Sequence, residues 1–225
     1  MKKVDFDAYA SSYNDLLREG TAFFTEDEAY FAKYKVGIAR ALVGKPPRRV
    51  LEFGCGIGRN IPFLREAFPQ ADVMGSDVSA ASVATARSEN PGVTFWVEGA
   101  EGSESGAFDV VFVAGVFHHI PPEERRAAAK SVAARLNPGG CAVVFEHNPI
   151  NPVTRKIVRE CPYDEGVILL RRSELRDLLE TAGLQVRKQG YSLFFPPKLR
   201  SLRSLEPKLS WLPLGGQYWV CADRP

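Results

Sequence analysis

A short β-rich run, Arg49-Val50-Leu51-Glu52-Phe53, stops at Gly54-Cys55-Gly56-Ile57-Gly58 and gives way to helical sequence up to about Phe68. No other feature constrains the fold as tightly. Glycines at a strand-to-helix turn adopt backbone conformations closed to other residues and allow a ligand to come close. In open α/β sheets such turns lie at the carboxyl ends of the strands, where ligands bind at a topological switch point. The run therefore predicts a parallel sheet with a site along one edge.

The rest of the chain repeats the pattern. Residues 71–76, 93–97, 108–114 and 141–145 read as further strands, with helices at 79–89 and 122–136 between them. The continuous Val/Phe composition of 108–114 predicts a strand buried on both faces. Strands alternating with helices imply βαβ units and right-handed crossovers, with helices on both faces of the sheet. Further on, a helix at 173–181 ends at Gly183, a C′ glycine, and strands follow at 184–194 and 216–221. The stretch 195–214 carries Pro196, Pro197, Pro207 and Pro213 and is too long for a hairpin loop, so it predicts a short helical insertion. Before the first strand, helices are expected at 4–19 and 26–43, the second ending at the breaker Gly44-Lys45-Pro46-Pro47.

Composition narrows the function. A net charge of +2 with dispersed basic residues argues against a nucleic-acid partner. Cys55, Cys141, Cys161 and Cys221 form no CxxC or metal-ligand spacing and read as reduced thiols. Met1-Lys2-Lys3-Val4-Asp5 is followed by no apolar region, and the longest apolar run, Val110 to Phe117, is too short to cross a bilayer. A cytoplasmic protein without stable membrane insertion is expected. Its oligomeric state is open.

The glycine spacing discriminates between ligands. A dinucleotide fingerprint wants GxGxxG, and Arg59 stands where its third glycine would be. This argues against an NAD(P)-dependent oxidoreductase, the main competing function. Asp77, closing the second strand, suits the two hydroxyls of a ribose, since charge-assisted hydrogen bonds are the stronger kind; it could instead cap the following helix. Glu52 could face a cationic group, because a buried carboxylate without a partner is costly.

With these residues in view, the sequence resembles the class I S-adenosylmethionine-dependent methyltransferases of small-molecule type (type 11 or 12). The resemblance covers about residues 5 to 147. It is carried by Glu52–Gly58, Asp77, Phe108-Asp109-Val110-Val111, His118-His119-Ile120-Pro121 and Leu136-Asn137-Pro138-Gly139-Gly140. It implies a three-layer αβα, Rossmann-like domain spanning 1–225, with a seven-stranded, mainly parallel sheet and one antiparallel strand near an edge. Within it, 1–45 would be a helical lid, 46–147 the cofactor-binding core, and 148–225 the acceptor-side segment with the last strands. S-adenosylmethionine would lie against Gly54, Cys55, Gly56, Gly58 and Ala114, with Glu52 close by, leaving S-adenosylhomocysteine as product. Asp77 would hold the ribose and Val78 flank the adenine. Tyr13, in a motif like the family's N-terminal Phe-x-x-x-Ala-x-x-Tyr-Asp, would cover the cofactor, although Asn14 replaces the Asp. Gly99 stands where the family has an acidic adenine contact, which leaves that role among Ala100, Glu98 and Glu101.

Two histidine clusters follow strand ends on the crevice side. Methyl transfer is an in-line displacement, so the protein mainly positions the nucleophile and removes its proton. His119 and His147 are the candidate bases, each with a structural alternative: a strand-end hydrogen bond for His119, a loop cap for His147. If the chain is still extended at His118-His119, only one of the pair faces the crevice. A metal site from Glu146, His147 and His118 or His119 matches no local ligand spacing, and no metal ligands are assigned.

From 146 onward a recognisable subtype appears: Glu-His-Asn-Pro-x-Asn-Pro-x-Thr-Arg, then Cys161-Pro162-Tyr163-Asp164, Phe194-Phe195-Pro196 and Leu212-Pro213-Leu214-Gly215-Gly216-Gln217-Tyr218. It resembles bacterial methyltransferases of glycan and secondary-metabolite clusters, which implies a small-molecule acceptor methylated on oxygen or nitrogen. Arg155 and Tyr163 could contact an anionic or polar acceptor or simply pack. Residues 194–214 would form a lid over the acceptor pocket; weak membrane-surface contact is the alternative. A non-catalytic S-adenosylmethionine-binding module is the remaining alternative function.

Overall fold

The computed structural model describes residues 29–100 and 107–225. The helix expected at 4–19 with Tyr13, and Glu101, lie outside them. Seven strands form one sheet: β1 (Arg49–Phe53), β2 (Asp72–Asp77), β3 (Thr94–Val97), β4 (Phe108–Ala114), β5 (Leu136–His147), β6 (Gln185–Ser192) and β7 (Gln217–Asp223). Their order is β3-β2-β1-β4-β5-β7-β6. β7 runs antiparallel to both β5 and β6; the first five strands pair in parallel. The architecture is the expected mainly parallel, Rossmann-like one, with a single reversed strand next to the edge.

The order puts a switch point between β1 and β4. Chain excursions run from β1 outward to β3, then cross back to β4. The described helices are α1 (Tyr30–Leu42), α2 (Ile61–Ala67), α3 (Ala80–Glu89), α4 (Arg125–Ala134), α5 (Pro152–Glu160), α6 (Arg172–Thr181) and the short α7 (Glu206–Leu209). Side-chain alternation along each strand splits the interior into two cores. Val110, Phe112, Val143 and Phe145 join Val36, Ala39 and Leu42 of α1 and residues of α2 and α3. Val111, Val113, Ala142 and Val144 join α4 and α6 on the opposite face. α1 is thus itself a layer helix with a buried stripe. No helix among the described residues is long and apolar enough to cross a membrane.

Several details differ from the sequence reading, each for a local reason. β5 starts at Leu136, so Pro138-Gly139-Gly140 lies within the strand rather than before it. A Cβ on Gly140 would meet the carbonyl oxygens of Phe108, Asn137 and Asp109 at 2.9–3.0 Å, so glycine lets the strand pass. Asp109 binds the N–H groups of Arg48 and Arg49 and the Asn137 amide. These two motifs therefore staple the amino ends of the strands. α5 was not anticipated: Pro152 hides a helix start, which Asn151 caps by accepting from the N–H groups of Val153 and Thr154. The insertion at 195–214 folds as a 3₁₀ stretch, Pro197–Leu205, followed by α7.

Candidate functional site

Every candidate from Glu52 to His147 lies at or just beyond the carboxyl ends of β1, β2, β3, β4 and β5. The glycine turn is held by backbone bonds: the N–H groups of Gly54 and Cys55 both donate to the Ser76 carbonyl, at 2.8 and 2.9 Å. All three glycines have positive φ, but for different reasons. A Cβ on Gly54 would strike Val116 at 2.4 Å, and one on Gly58 would strike Asn90 at 2.7 Å and Ala86 at 3.2 Å. Gly58 therefore provides the close packing against α3. A Cβ on Gly56 would meet nothing within 4 Å. Gly56 is the member of the turn with space beside it.

Asp77 is the hinge of this end. Its Oδ2 accepts from Gly56 N–H at 2.8 Å and its Oδ1 from Ser79 N–H at 2.9 Å. The helix cap is Ser79, whose Oγ accepts from Ser82 N–H, so Asp77 is not the cap. Burial raises the Asp77 pKa, and its backbone donors oppose that rise. Val78, beside it, is 67% exposed, an apolar side chain left open at the crevice. Cys55 points its thiol inward against Gly75, leaving only its backbone for a ligand. Ala114 closes β4, and Gly115 turns the chain away with φ +73°.

Glu52 is buried. Its Oε1 accepts from the Asn60 amide at 2.5 Å, and no described group hydrogen-bonds its Oε2. Burial pushes its pKa up to about 8, partly offset by Asn60 and by Lys35 of α1. Lys35 is itself lowered to about 8 by burial, with Glu52 and Glu146 pulling it back. Sequence reading missed Lys35, because its role depends on where α1 docks. Gly99 and Ala100 form an exposed turn after β3, with Gly99 at φ +80°. Of the alternative adenine contacts, Glu98 is already ion-paired with Arg135.

The second end surrounds the histidines. The chain is not extended at His118-His119; Phe117–His119 is a 3₁₀ turn. Both rings therefore lie together, centroids 4.1 Å apart, and His147 at the end of β5 stands 4.9 Å from His118. Glu146 organises the cluster. Its Oε1 accepts from the N–H groups of Val116 and Phe117, at 2.9 and 2.6 Å, and its Oε2 lies 2.6 Å from His118 Nδ1. Asp164, in the 3₁₀ turn Pro162–Asp164, approaches from the other side.

Burial would lower the His118 pKa, but Glu146 and Asp164 outweigh it and hold it at about 9. Burial and the neighbouring His118 lower His119 to about 3 and His147 to about 4. At neutral pH, one imidazolium thus sits between two neutral rings. Asp164 was quoted in the sequence but not assigned a role. No spacing signals it, because it arrives from a separate loop. Tyr163 is buried beside it, and Arg155 is exposed on α5.

Three further subtype residues hold loops together. Asn148 donates to the carbonyls of Pro213 and Gly215, Asn151 to that of Leu214, and Thr154 to that of Gly216. The Asn-Pro-x-Asn-Pro-x-Thr motif thus clasps the Leu-Pro-Leu-Gly-Gly motif and fixes the loop after β5. In the insertion, Glu206 accepts from Tyr34, and Arg203 lies over the Tyr30 and Tyr34 rings, tying it to α1. Leu199, Leu202, Leu205 and Trp211 are exposed.

Residues 50–140 match the family described as "Methyltransferase domain". A trans-aconitate 2-methyltransferase of Rhodopseudomonas palustris is 32% identical over 147 residues, covering 61% of this chain and 54% of that protein. The chain spans about half the length of the curated relatives it matches. Among solved structures, an S-adenosylmethionine-dependent methyltransferase from Thermotoga maritima superposes with a TM-score of 0.69 at 16% identity, covering 98% of each chain. Magnesium protoporphyrin IX methyltransferase from Synechocystis, solved with bound S-adenosylhomocysteine, gives 0.64 at 19% identity, covering 97% of each. At these identities the structural likeness is one of fold.

Proposed function

We propose that the chain, whose residues 50–140 match a methyltransferase domain, is a class I S-adenosylmethionine-dependent methyltransferase that transfers a methyl group to an oxygen or nitrogen of a small molecule. The observation that carries this reading is the division of the carboxyl edge into two facing ends. One end is backbone, glycine and carboxylate; the other is a cluster of imidazoles.

The residues present fit the cofactor. Gly56 leaves open space where a Cβ would otherwise stand. Asp77, whose Oδ2 accepts from Gly56 N–H and Oδ1 from Ser79 N–H, keeps lone pairs for ribose hydroxyls. The buried Glu52 Oε2, without a hydrogen bond, suits the cationic amino group of the methionine part. Val78 offers an apolar face to the adenine. When bound, the cofactor supplies an activated methyl group on a sulfonium leaving group.

The chain's own part is to hold the acceptor in line and handle its proton. His119 and His147, neutral imidazoles past the ends of β4 and β5, are placed to do so. Calorimetry with S-adenosylhomocysteine tests the reading: binding in the micromolar range is expected, together with its loss in Asp77→Ala. An absence of binding by the intact chain would overturn it.

A further inference from the structure

The chain has three histidines, and all three gather beside Asp164. Ligand atoms of His118, His147 and Asp164 lie within 4.8 Å of one another. The Asp164 side chain is 4% exposed, and its Oδ1 makes no hydrogen bond. The Nε2 atoms of His118 and His119 stand 3.6 and 3.4 Å from that oxygen. Those separations are long for N–H···O bonds, which centre near about 2.9 Å. The His118–Asp164 separation suits two ligands of one ion: tetrahedral bonds of about 2.0–2.1 Å place neighbouring donors about 3.4 Å apart.

We infer that His118, His147 and Asp164 bind a divalent transition-metal ion of the zinc class at the acceptor end of the crevice. His118 is oriented for this. A carboxylate on Nδ1, here Glu146 at 2.6 Å, holds one ring proton there, and an incoming cation would displace the other from Nε2 to solvent, leaving Nε2 as the ligand atom, as metal-binding histidines require. Glu146 is in turn fixed by the N–H groups of Val116 and Phe117. Two imidazoles and a carboxylate suit zinc and its neighbours, and three protein ligands leave a position for an exchangeable one.

This departs from the sequence reading, which assigned no metal ligands. Glu146 supports the site rather than ligating, and the third ligand is Asp164. Resting on the methyltransferase reading, with His147 then a ligand and His119 the base that remains, the open position would take an oxygen of the methyl acceptor and make its proton more acidic.

The test uses the full chain, stripped with a chelator and titrated with Zn²⁺, with Co²⁺ as a spectroscopic probe. One ion per chain is expected, with visible absorption characteristic of four- or five-coordinate Co²⁺. His147→Ala and Asp164→Asn should each weaken Zn²⁺ binding at least 100-fold, and Glu146→Gln about 10–100-fold. S-adenosylhomocysteine binding, measured on the same samples, reports that each variant is folded. Absence of stoichiometric binding by the intact chain overturns the inference, as do folded variants that keep its affinity. Retained S-adenosylhomocysteine binding without Zn²⁺ binding would defeat only the metal site. Zn²⁺ binding without S-adenosylhomocysteine binding would defeat only the cofactor reading.

Discussion

The two ends of the carboxyl edge are built from different materials. At the β1–β2 end the groups that matter are mostly main chain: glycines at positive φ, N–H groups on Asp77, a carbonyl shared by Gly54 and Cys55. At the β4–β5 end they are side chains, buried and charged, held by one another. A main-chain site tolerates the loss of one side chain if the turn keeps its shape. A buried charged cluster does not, because each member is the solvent of the next. The contrast predicts that mutations at the β4–β5 end cost folding stability, whereas those at the β1–β2 end cost ligand affinity.

The largest effect should come from Glu146→Ala. It strips two N–H groups and a buried imidazolium of their common acceptor, a loss of about 3–5 kcal/mol for a broken buried pair. Urea unfolding measures it, and a cost below about 1 kcal/mol would show that the cluster does not hold this end together. S-adenosylhomocysteine affinity of the folded fraction should stay within a few-fold of the parent.

Next comes a pair within the glycine turn. Gly58→Ala combines positive φ, about 1–2 kcal/mol for an L-residue, with contact against Asn90 and Ala86, adding about 1–3 kcal/mol of overpacking. Gly56→Ala carries the backbone cost alone. Gly58→Ala should therefore be the less stable variant, whereas Gly56→Ala should weaken the cofactor more relative to its effect on stability. Equal stability losses in the two would erase the distinction between a packing glycine and a ligand-facing one.

Asp77→Ala follows. Charge-assisted hydrogen bonds contribute about 1.5–3 kcal/mol each, so S-adenosylhomocysteine affinity should fall about 100-fold or more in calorimetry. Asp77→Asn keeps an acceptor for one N–H group and should fall less. A ranking with Asn as poor as Ala would assign the whole effect to charge.

The same contrast explains what was legible in the sequence. Strand runs such as Val50-Leu51 and Val110–Val113 follow from composition and period, and the turn at Gly54–Gly58 follows from glycine's unique backbone range. Asp77 was readable because it closes a strand next to that turn. The β4–β5 end was readable only as an inventory. His118-His119 was expected to splay, because an extended chain was assumed where a 3₁₀ turn forms. Asp164 and Lys35 reach the site through loop and helix docking, and no local spacing encodes such a meeting. The Asn-Pro-x-Asn-Pro-x-Thr motif carried the opposite lesson: a conspicuous pattern proved to be a clasp between loops.

The smallest effect is the sharpest probe of the boundary between the two ends. Glu52 sits at the β1–β2 end, yet it shares the character of the other, being a buried carboxyl pushed up to about 8. Its folded pKa lies above the unfolded value, so it contributes stability that is full below about pH 4.5 and fades as pH rises through 8. A ligand ammonium against Oε2 reverses the preference and favours the carboxylate. Binding S-adenosylhomocysteine near pH 7 should then release a proton, and affinity should rise toward pH 8 by at most about tenfold per pH unit. Calorimetry in phosphate and in Tris, whose ionisation enthalpies differ, reads that proton directly, and Glu52→Gln should abolish the buffer dependence. Identical enthalpies in the two buffers for the intact chain would mean that binding leaves the protonation of Glu52 unchanged, and that the cofactor ammonium is not the cation it serves.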